Sequence, residues 1–149
     1  MSAIKGFFDT PLSGKIFFGS SYCSKEEMQE TFASLKENSV CVIWNLLETD
    51  CTAKLEEEHF SVIHSPIDDF SIPKDPESFH KDVRSIVLLL ARGKNIYVHC
   101  FSGHGRTGLA VLSLLLYLGI DKDKARQDVR EHIGGPETQE QLEFATKNK

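Results

Sequence analysis

Residues 97–108 read Tyr-Val-His-Cys-Phe-Ser-Gly-His-Gly-Arg-Thr-Gly, YVHCFSGHGRTG. A β-branched and aromatic run, Asn95–Cys100, leads to a cysteine and predicts a short buried strand. Small residues and two glycines separate Cys100 from Arg106, and the apolar run Leu109–Leu118 follows. That run is hydrophobic nearly all round, which predicts a central, buried helix over Thr107–Leu118. The stretch is therefore a strand–loop–helix unit with a reactive thiol at the carboxyl end of the strand. In open α/β sheets, ligands bind at such ends.

The loop has a chemistry of its own. Glycine tolerates positive φ, so Phe101-Ser102-Gly103-His104-Gly105 can curl tightly. A curled backbone turns successive N–H groups inward and makes an anion cradle. The following helix adds its unpaired N–H groups and its dipole at the same point. A cysteine at the rim of that cradle is in the setting that favours its thiolate. Arg106, at the start of the helix, offers a planar fork that grips two oxygens of a tetrahedral dianion. A sulfur nucleophile beside a phosphate-shaped seat predicts phosphoryl transfer to sulfur.

Working outward, the flanking sequence supplies a sheet. Lys15–Gly19, Val40–Leu47 and Phe60–His64 read as strands. Ser24–Lys36, with Ser24 as N-cap, and Thr52–Glu58 read as helices. Pro66–Pro76 holds three prolines and reads as a loop. Glu77–Ala91 shows one apolar face and ends at Gly93. Asp121 caps a helix to His132, Gly134–Pro136 breaks it, and Glu137–Asn148 is a last helix. Strands alternate with helices early and helices dominate late. This predicts an α/β fold: a central, mostly parallel twisted sheet of four to five strands, flanked by helices.

Composition narrows the partners. The 149 residues fit one domain, 1–149, and 40% of them are hydrophobic, enough for a real core. The net charge of −5 argues against a general affinity for nucleic acid or anionic membrane. No signal-peptide pattern and no apolar run of bilayer length appear, so no membrane partner is expected. Cys23, Cys41, Cys51 and Cys100 show no CxxC and no zinc-type spacing, so no metal is expected. The expectation is a reduced, cytoplasmic monomer.

The motif His99-Cys100-x-x-Gly103-x-x-Arg106-Thr107 resembles the signature of the cysteine-dependent protein tyrosine phosphatase superfamily. The small size, Asn45–Leu47, the PIDDF loop at 66–70 and LLLYLG after the signature resemble its compact dual-specificity group. The resemblance implies roles residue by residue. Cys100 would be the nucleophile that forms a phosphocysteine. Arg106 would bind phosphate and stabilise the transition state. The backbone N–H groups of Phe101, Ser102, Gly103, His104, Gly105 and Arg106 would hold the phosphate oxygens. Thr107 would help the thiolate leave, and His99 would organise the loop. The general acid would be Asp69, with its neighbour Asp68 as the alternative. Gln141 would match a glutamine that positions groups near the catalytic water, although Gly134-Gly135-Pro136 before it departs from the family's arginine-proline-glycine order. No cofactor is implied.

The resemblance also bounds the substrate. Compact members have shallow pockets, so phosphoserine and phosphothreonine are expected beside phosphotyrosine in protein substrates. Phosphoinositides and RNA 5′ ends are alternatives with the same mechanism. The absence of lysine within the loop and the acidic chain lower both. An inactive phosphoprotein-binding module is a further alternative, lowered because the cysteine, arginine and aspartate are all present. Cys41 and Cys51 are expected to be free thiols; some members of the superfamily protect the nucleophile by a disulfide to such a neighbour.

Overall fold

Along each strand the side chains alternate between the two faces of the sheet, and that alternation divides the core in two. The computed structural model describes residues 2–22 and 24–147. The strands are β1 (Ile4–Phe8), β2 (Ile16–Gly19), β3 (Val40–Asn45), β4 (Ser61–His64) and β5 (Asn95–His99). The helices are α1 (Lys25–Glu37), α2 (Thr52–Glu57), α3 (Pro76–Ala91), α4 (Gly105–Tyr117), α5 (Lys122–His132) and α6 (Gln139–Lys147). They form one five-stranded sheet of order β1-β2-β5-β3-β4, parallel except where β1 pairs antiparallel with β2. The fold class is the α/β architecture read from the sequence.

Ile16, Phe18, Val42, Trp44, Ile96 and Val98 point to one face, where α3, α4, α5 and α6 pack. Phe17, Ile43 and Tyr97 point to the other, closed by Phe32 and Leu35 of α1 and Leu55 of α2. β5 lies between β2 and β3 with both faces covered, which explains its continuous apolar run. Every residue of α4 from Gly105 to Leu116 is buried, as the all-round hydrophobicity required.

The caps follow the sequence. Ser24 Oγ accepts the N–H of Glu27 at 3.0 Å, and Asp121 Oδ2 accepts that of Lys124 at 3.2 Å. α3 starts one residue earlier than expected, because Pro76 takes the first helical position, where no N–H is needed. α4 starts at Gly105 rather than Thr107, which puts Arg106 inside its first turn. The strand before it ends at His99, so Cys100 is the first loop residue. β1 was not expected. It alternates in exposure, but glycine stands at the inward position 6 and Phe7 at an outward one, so its sequence shows no period of two; a Cβ at Gly6 would come 2.8 Å from the Phe18 ring, so the glycine is what lets this edge strand close on β2. The expected end of the last helix, Asn148, lies outside the described residues, as does Cys23.

Candidate active site

The loop from Cys100 to His104 joins the central strand to the most buried helix, so it is held at both ends. Gly103 adopts φ +84°, and a Cβ there would lie 2.7 Å from the carbonyl oxygen of Gly19. Only glycine fits both the backbone angle and the contact. The glycine reading of the loop therefore holds at Gly103. At Gly108 the requirement is a different one. Its would-be Cβ falls 2.7 Å from the carbonyl carbon of Gly135, so it is close helix-to-turn packing that excludes a side chain.

Cys100 is 1% exposed, at the floor of the loop. Its Sγ accepts hydrogen bonds from the Gly103 N–H at 3.3 Å and the Thr107 hydroxyl at 3.1 Å. Thr107 reaches the sulfur because it stands on the first turn of α4, whose N–H groups have no intrahelical acceptor and face the loop. His104 is the N-cap residue of that helix and is half-buried. Phe101 is exposed, and its carbonyl accepts the Ser21 N–H at 3.2 Å. The Ser102 carbonyl accepts from Lys5 Nζ at 2.6 Å. Thus a lysine from β1 stands beside a loop that has none of its own.

The Arg106 guanidinium is 3% exposed, and such a charge requires partners. Nη1 donates to Glu48 Oε1 at 2.5 Å and to the Ile67 carbonyl at 2.9 Å. Nη2 lies 3.6 Å from Asp69 Oδ1. Nε is buried without an acceptor, and a tetrahedral oxyanion in the loop would supply one. Asp68, the alternative acid, is engaged elsewhere, 3.0 Å from Lys74. Asp69, 57% exposed and beside Arg106, stands at the mouth of the loop.

The loop that carries Asp69 is laced to its surroundings at both ends. The Ser65 N–H donates to the Asn45 carbonyl and the Ile67 N–H to that of Leu46. Trp44 Nε1 donates to Ser65 Oγ at 2.8 Å, and Ser65 in turn donates to Asp82 at 2.6 Å. At the far end the fully buried Gln141 donates from Nε2 to the Ser71 carbonyl at 3.0 Å. Its Oε1 accepts the N–H groups of Glu137 and Thr138. A Cβ on Gly105 would come 3.2 Å from that oxygen, so Gln141 backs the Cys100 loop and the Asp69 loop together.

His99 is buried, with the rings of Tyr97 and Tyr22 at 5.5 and 5.7 Å. Burial pushes its pKa down to about 4, a hydrogen bond at the Cys100 backbone opposes this, and the Arg106 charge adds to the depression. A neutral ring wedged in this way suits an organising role. Cys41 and Cys51 are free thiols, and Cys51 packs in the core on the sheet face opposite Cys100.

The sequence reading brought together Cys100, Arg106, Thr107, Asp69, His99 and Gln141, and missed Glu48 and Lys5. Glu48 follows the carboxyl end of β3, next to β5, and a buried arginine must find a carboxylate; together those two facts mark it. Its carboxyl is held below the ordinary carboxylate range, first by its own backbone N–H, against a small cost of burial, and then by Arg106. Lys5 carries no comparable mark, since the sequence of its strand, with Gly6 inward and Phe7 outward, shows no alternation of hydrophobicity.

Known proteins share this sequence pattern and this fold. The family described as "Polymorphic toxin system, DSP-PTPase phosphatase" matches residues 19–120. Protein 067L of Invertebrate iridescent virus 3, whose name assigns it provisionally as a tyrosine phosphatase, is 32% identical over 111 residues. That match covers 70% of this chain and 43% of the relative, so the chain spans less than half the relative's length. A mutant form of Tk-PTP superposes with a TM-score of 0.78 at 25% identity, over 96% of this chain and 93% of that one. Kinase associated phosphatase, with serine at its catalytic cysteine, gives 0.77 at 20% identity over 91% and 86%. A chain from Leishmania major, provisionally assigned as a protein tyrosine phosphatase, gives 0.76 at 22% over 97% and 98%.

Proposed function

The chain belongs to the DSP-PTPase phosphatase family, within the cysteine-dependent protein tyrosine phosphatase superfamily, and from that premise we propose that residues 1–149 form one catalytic domain that hydrolyses phosphoproteins through Cys100. The observation that carries this reading is the convergence of the Gly103 N–H and the Thr107 hydroxyl on Cys100 Sγ, with the free Nε of Arg106 beside the same loop.

The steps follow from these positions. Cys100 Sγ attacks phosphorus; the S–P bond forms and the P–O ester bond breaks. Asp69, in its acid form, gives its proton to the departing oxygen. Arg106 and the loop N–H groups bear the charge on the three equatorial oxygens. Water then attacks phosphorus, Asp69 takes up its proton, and the S–P bond breaks to release orthophosphate. Thr107 hydrogen-bonds the leaving sulfur. Glu48 and the Ile67 carbonyl hold the guanidinium plane so that its free edge faces the phosphate. Gln141 positions the acid loop through Ser71.

Phosphotyrosine, phosphoserine and phosphothreonine in proteins are the substrates of this reading. Lys5 supports a second one: a cation 2.6 Å from the loop carbonyl of Ser102 suits a monoester with further negative charge, such as a phosphoinositide. Assaying phosphotyrosine and phosphoserine/threonine peptides, inositol phospholipids and 5′-triphosphate RNA side by side separates them. The protein reading predicts the highest kcat/KM on phosphopeptides. A lipid or RNA rate at least tenfold above the best peptide contradicts it.

A further inference from the structure

Helix α5 carries Arg126 and Arg130 one turn apart, on the same side. Both line a small cavity closed by Leu112 of α4, Leu142 of α6 and the turn Gly134-Gly135-Pro136. Its volume is about 160 Å³, room for one phosphate and a few waters but not for a nucleotide. Arg126 Nε is shielded from solvent and has no hydrogen-bond partner among the described residues. A buried guanidinium donor left unsatisfied costs free energy, so such an atom points to an absent acceptor. The nearby acids of α5 do not supply it. Asp128 pairs with Lys124 at 2.9 Å, and Glu131 is bound by Gln127 at 2.9 Å. Asp123 and Glu131 share a neighbouring groove with the two arginines. Among the described residues, neither arginine is within 4.0 Å of a carboxylate. Arg126 is half-buried and Arg130 exposed at the rim of this partly open cavity, and two like charges one turn apart repel each other less when an anion lies between them.

The place of the cavity gives the site a consequence. The turn that forms its floor is pressed against the phosphate loop: a Cβ on Gly135 would fall 2.2 Å from the His104 carbonyl oxygen. An occupant of the cavity therefore braces the turn on which the phosphate loop rests.

We propose that the Arg126–Arg130 cavity is a second anion site, separate from the Cys100 loop, that takes a free tetrahedral oxyanion of the size of inorganic phosphate. Neither the proposed chemistry at Cys100 nor its substrate enters this inference. The test is a titration of the unmodified chain with sodium phosphate, at ionic strength held constant with chloride. Residue-resolved NMR follows the Arg126 side-chain Nε–H separately from the Gly103 amide. The expected result is a saturable shift of the Arg126 signal with its own dissociation constant, and no such shift with chloride alone. Arg130→Gln, at an exposed position that should not disturb folding, should weaken the affinity read at Arg126 at least tenfold. A non-saturating drift equal to that with chloride overturns the proposal, and so does an unchanged affinity in Arg130→Gln.

Discussion

Two carboxylates share one arginine, and their positions separate their roles. Glu48 accepts from Nη1 of Arg106 at 2.5 Å, while the more distant Asp69 lies 3.6 Å from Nη2. Asp69→Ala should lower kcat on phosphotyrosine peptides by about 10²–10⁴-fold, and on aryl phosphates with good leaving groups by less than about tenfold, because those need little protonation. Comparing the two substrate classes checks it, and equal losses on both would remove Asp69 from the acid role. Glu48→Ala leaves the sulfur, the acid and the loop in place but frees the guanidinium plane. A misplacement on the order of 1 Å costs about 10²-fold, so kcat/KM should fall by roughly 10–100-fold, and the melting temperature should fall as well because the buried guanidinium loses its carboxylate. Steady-state kinetics beside a melting curve reads both. The motif made Cys100, Arg106 and Thr107 legible in the sequence because their spacing along the chain is local. Glu48 lies 58 positions from Arg106, and only the pairing of β3 with β5 brings it near.

At the scale of elements, the site is a meeting of three segments: the loop between β5 and α4, the Asp69 loop between β4 and α3, and the start of α6. Gln141 joins the last two through Ser71 and stands behind Gly105 of the first. Gln141→Ala leaves the Glu137 and Thr138 N–H groups and the Ser71 carbonyl without their partner. Each lost buried hydrogen bond costs about 1–3 kcal/mol, so the melting temperature should drop measurably. The acid loop should also loosen, and kcat should fall further on substrates with poor leaving groups than on activated ones. A purely structural role would lower stability without that split. The elements around the site were legible because their signals are strong: α4 from its unbroken hydrophobicity, α1 and α5 from their caps. β1 was not: its side chains alternate in exposure, but with Gly6 inward against the Phe18 ring and Phe7 outward its hydrophobicity does not. The start of α4 was read late, because glycine and arginine after a cysteine look like loop until the helix that uses them as its first turn is seen.

At the scale of the whole molecule, one sheet carries two cores, and His99 lies at the carboxyl end of its central strand. Its folded pKa, about 4, is below the ordinary histidine value of 6.5. The unfolded chain therefore binds more protons between these values, and stability rises with pH across that window. The contribution is fully present above about pH 6.5 and is lost as pH falls towards 4, up to about 3 kcal/mol for a shift of this size. Denaturant unfolding at several pH values should show this slope in the wild type and a smaller one in His99→Asn. A slope unchanged in the variant would assign it to other groups, such as His80, whose pKa burial also lowers ahead of Arg84. The layered α/β plan was legible from the order of strands and helices. Which segments meet over the phosphate loop was not, since that depends on the order β1-β2-β5-β3-β4 and not on neighbours in sequence. The central claim is that the Cys100 sulfur carries the phosphoryl group during turnover. Its most direct test is rapid acid quenching of the enzyme with a labelled phosphotyrosine peptide, followed by mapping of the bound label. The result predicted is label on Cys100 at close to one equivalent or below, with none in Cys100→Ser and no turnover by that variant. Turnover by Cys100→Ser, or label found on another residue, would contradict it.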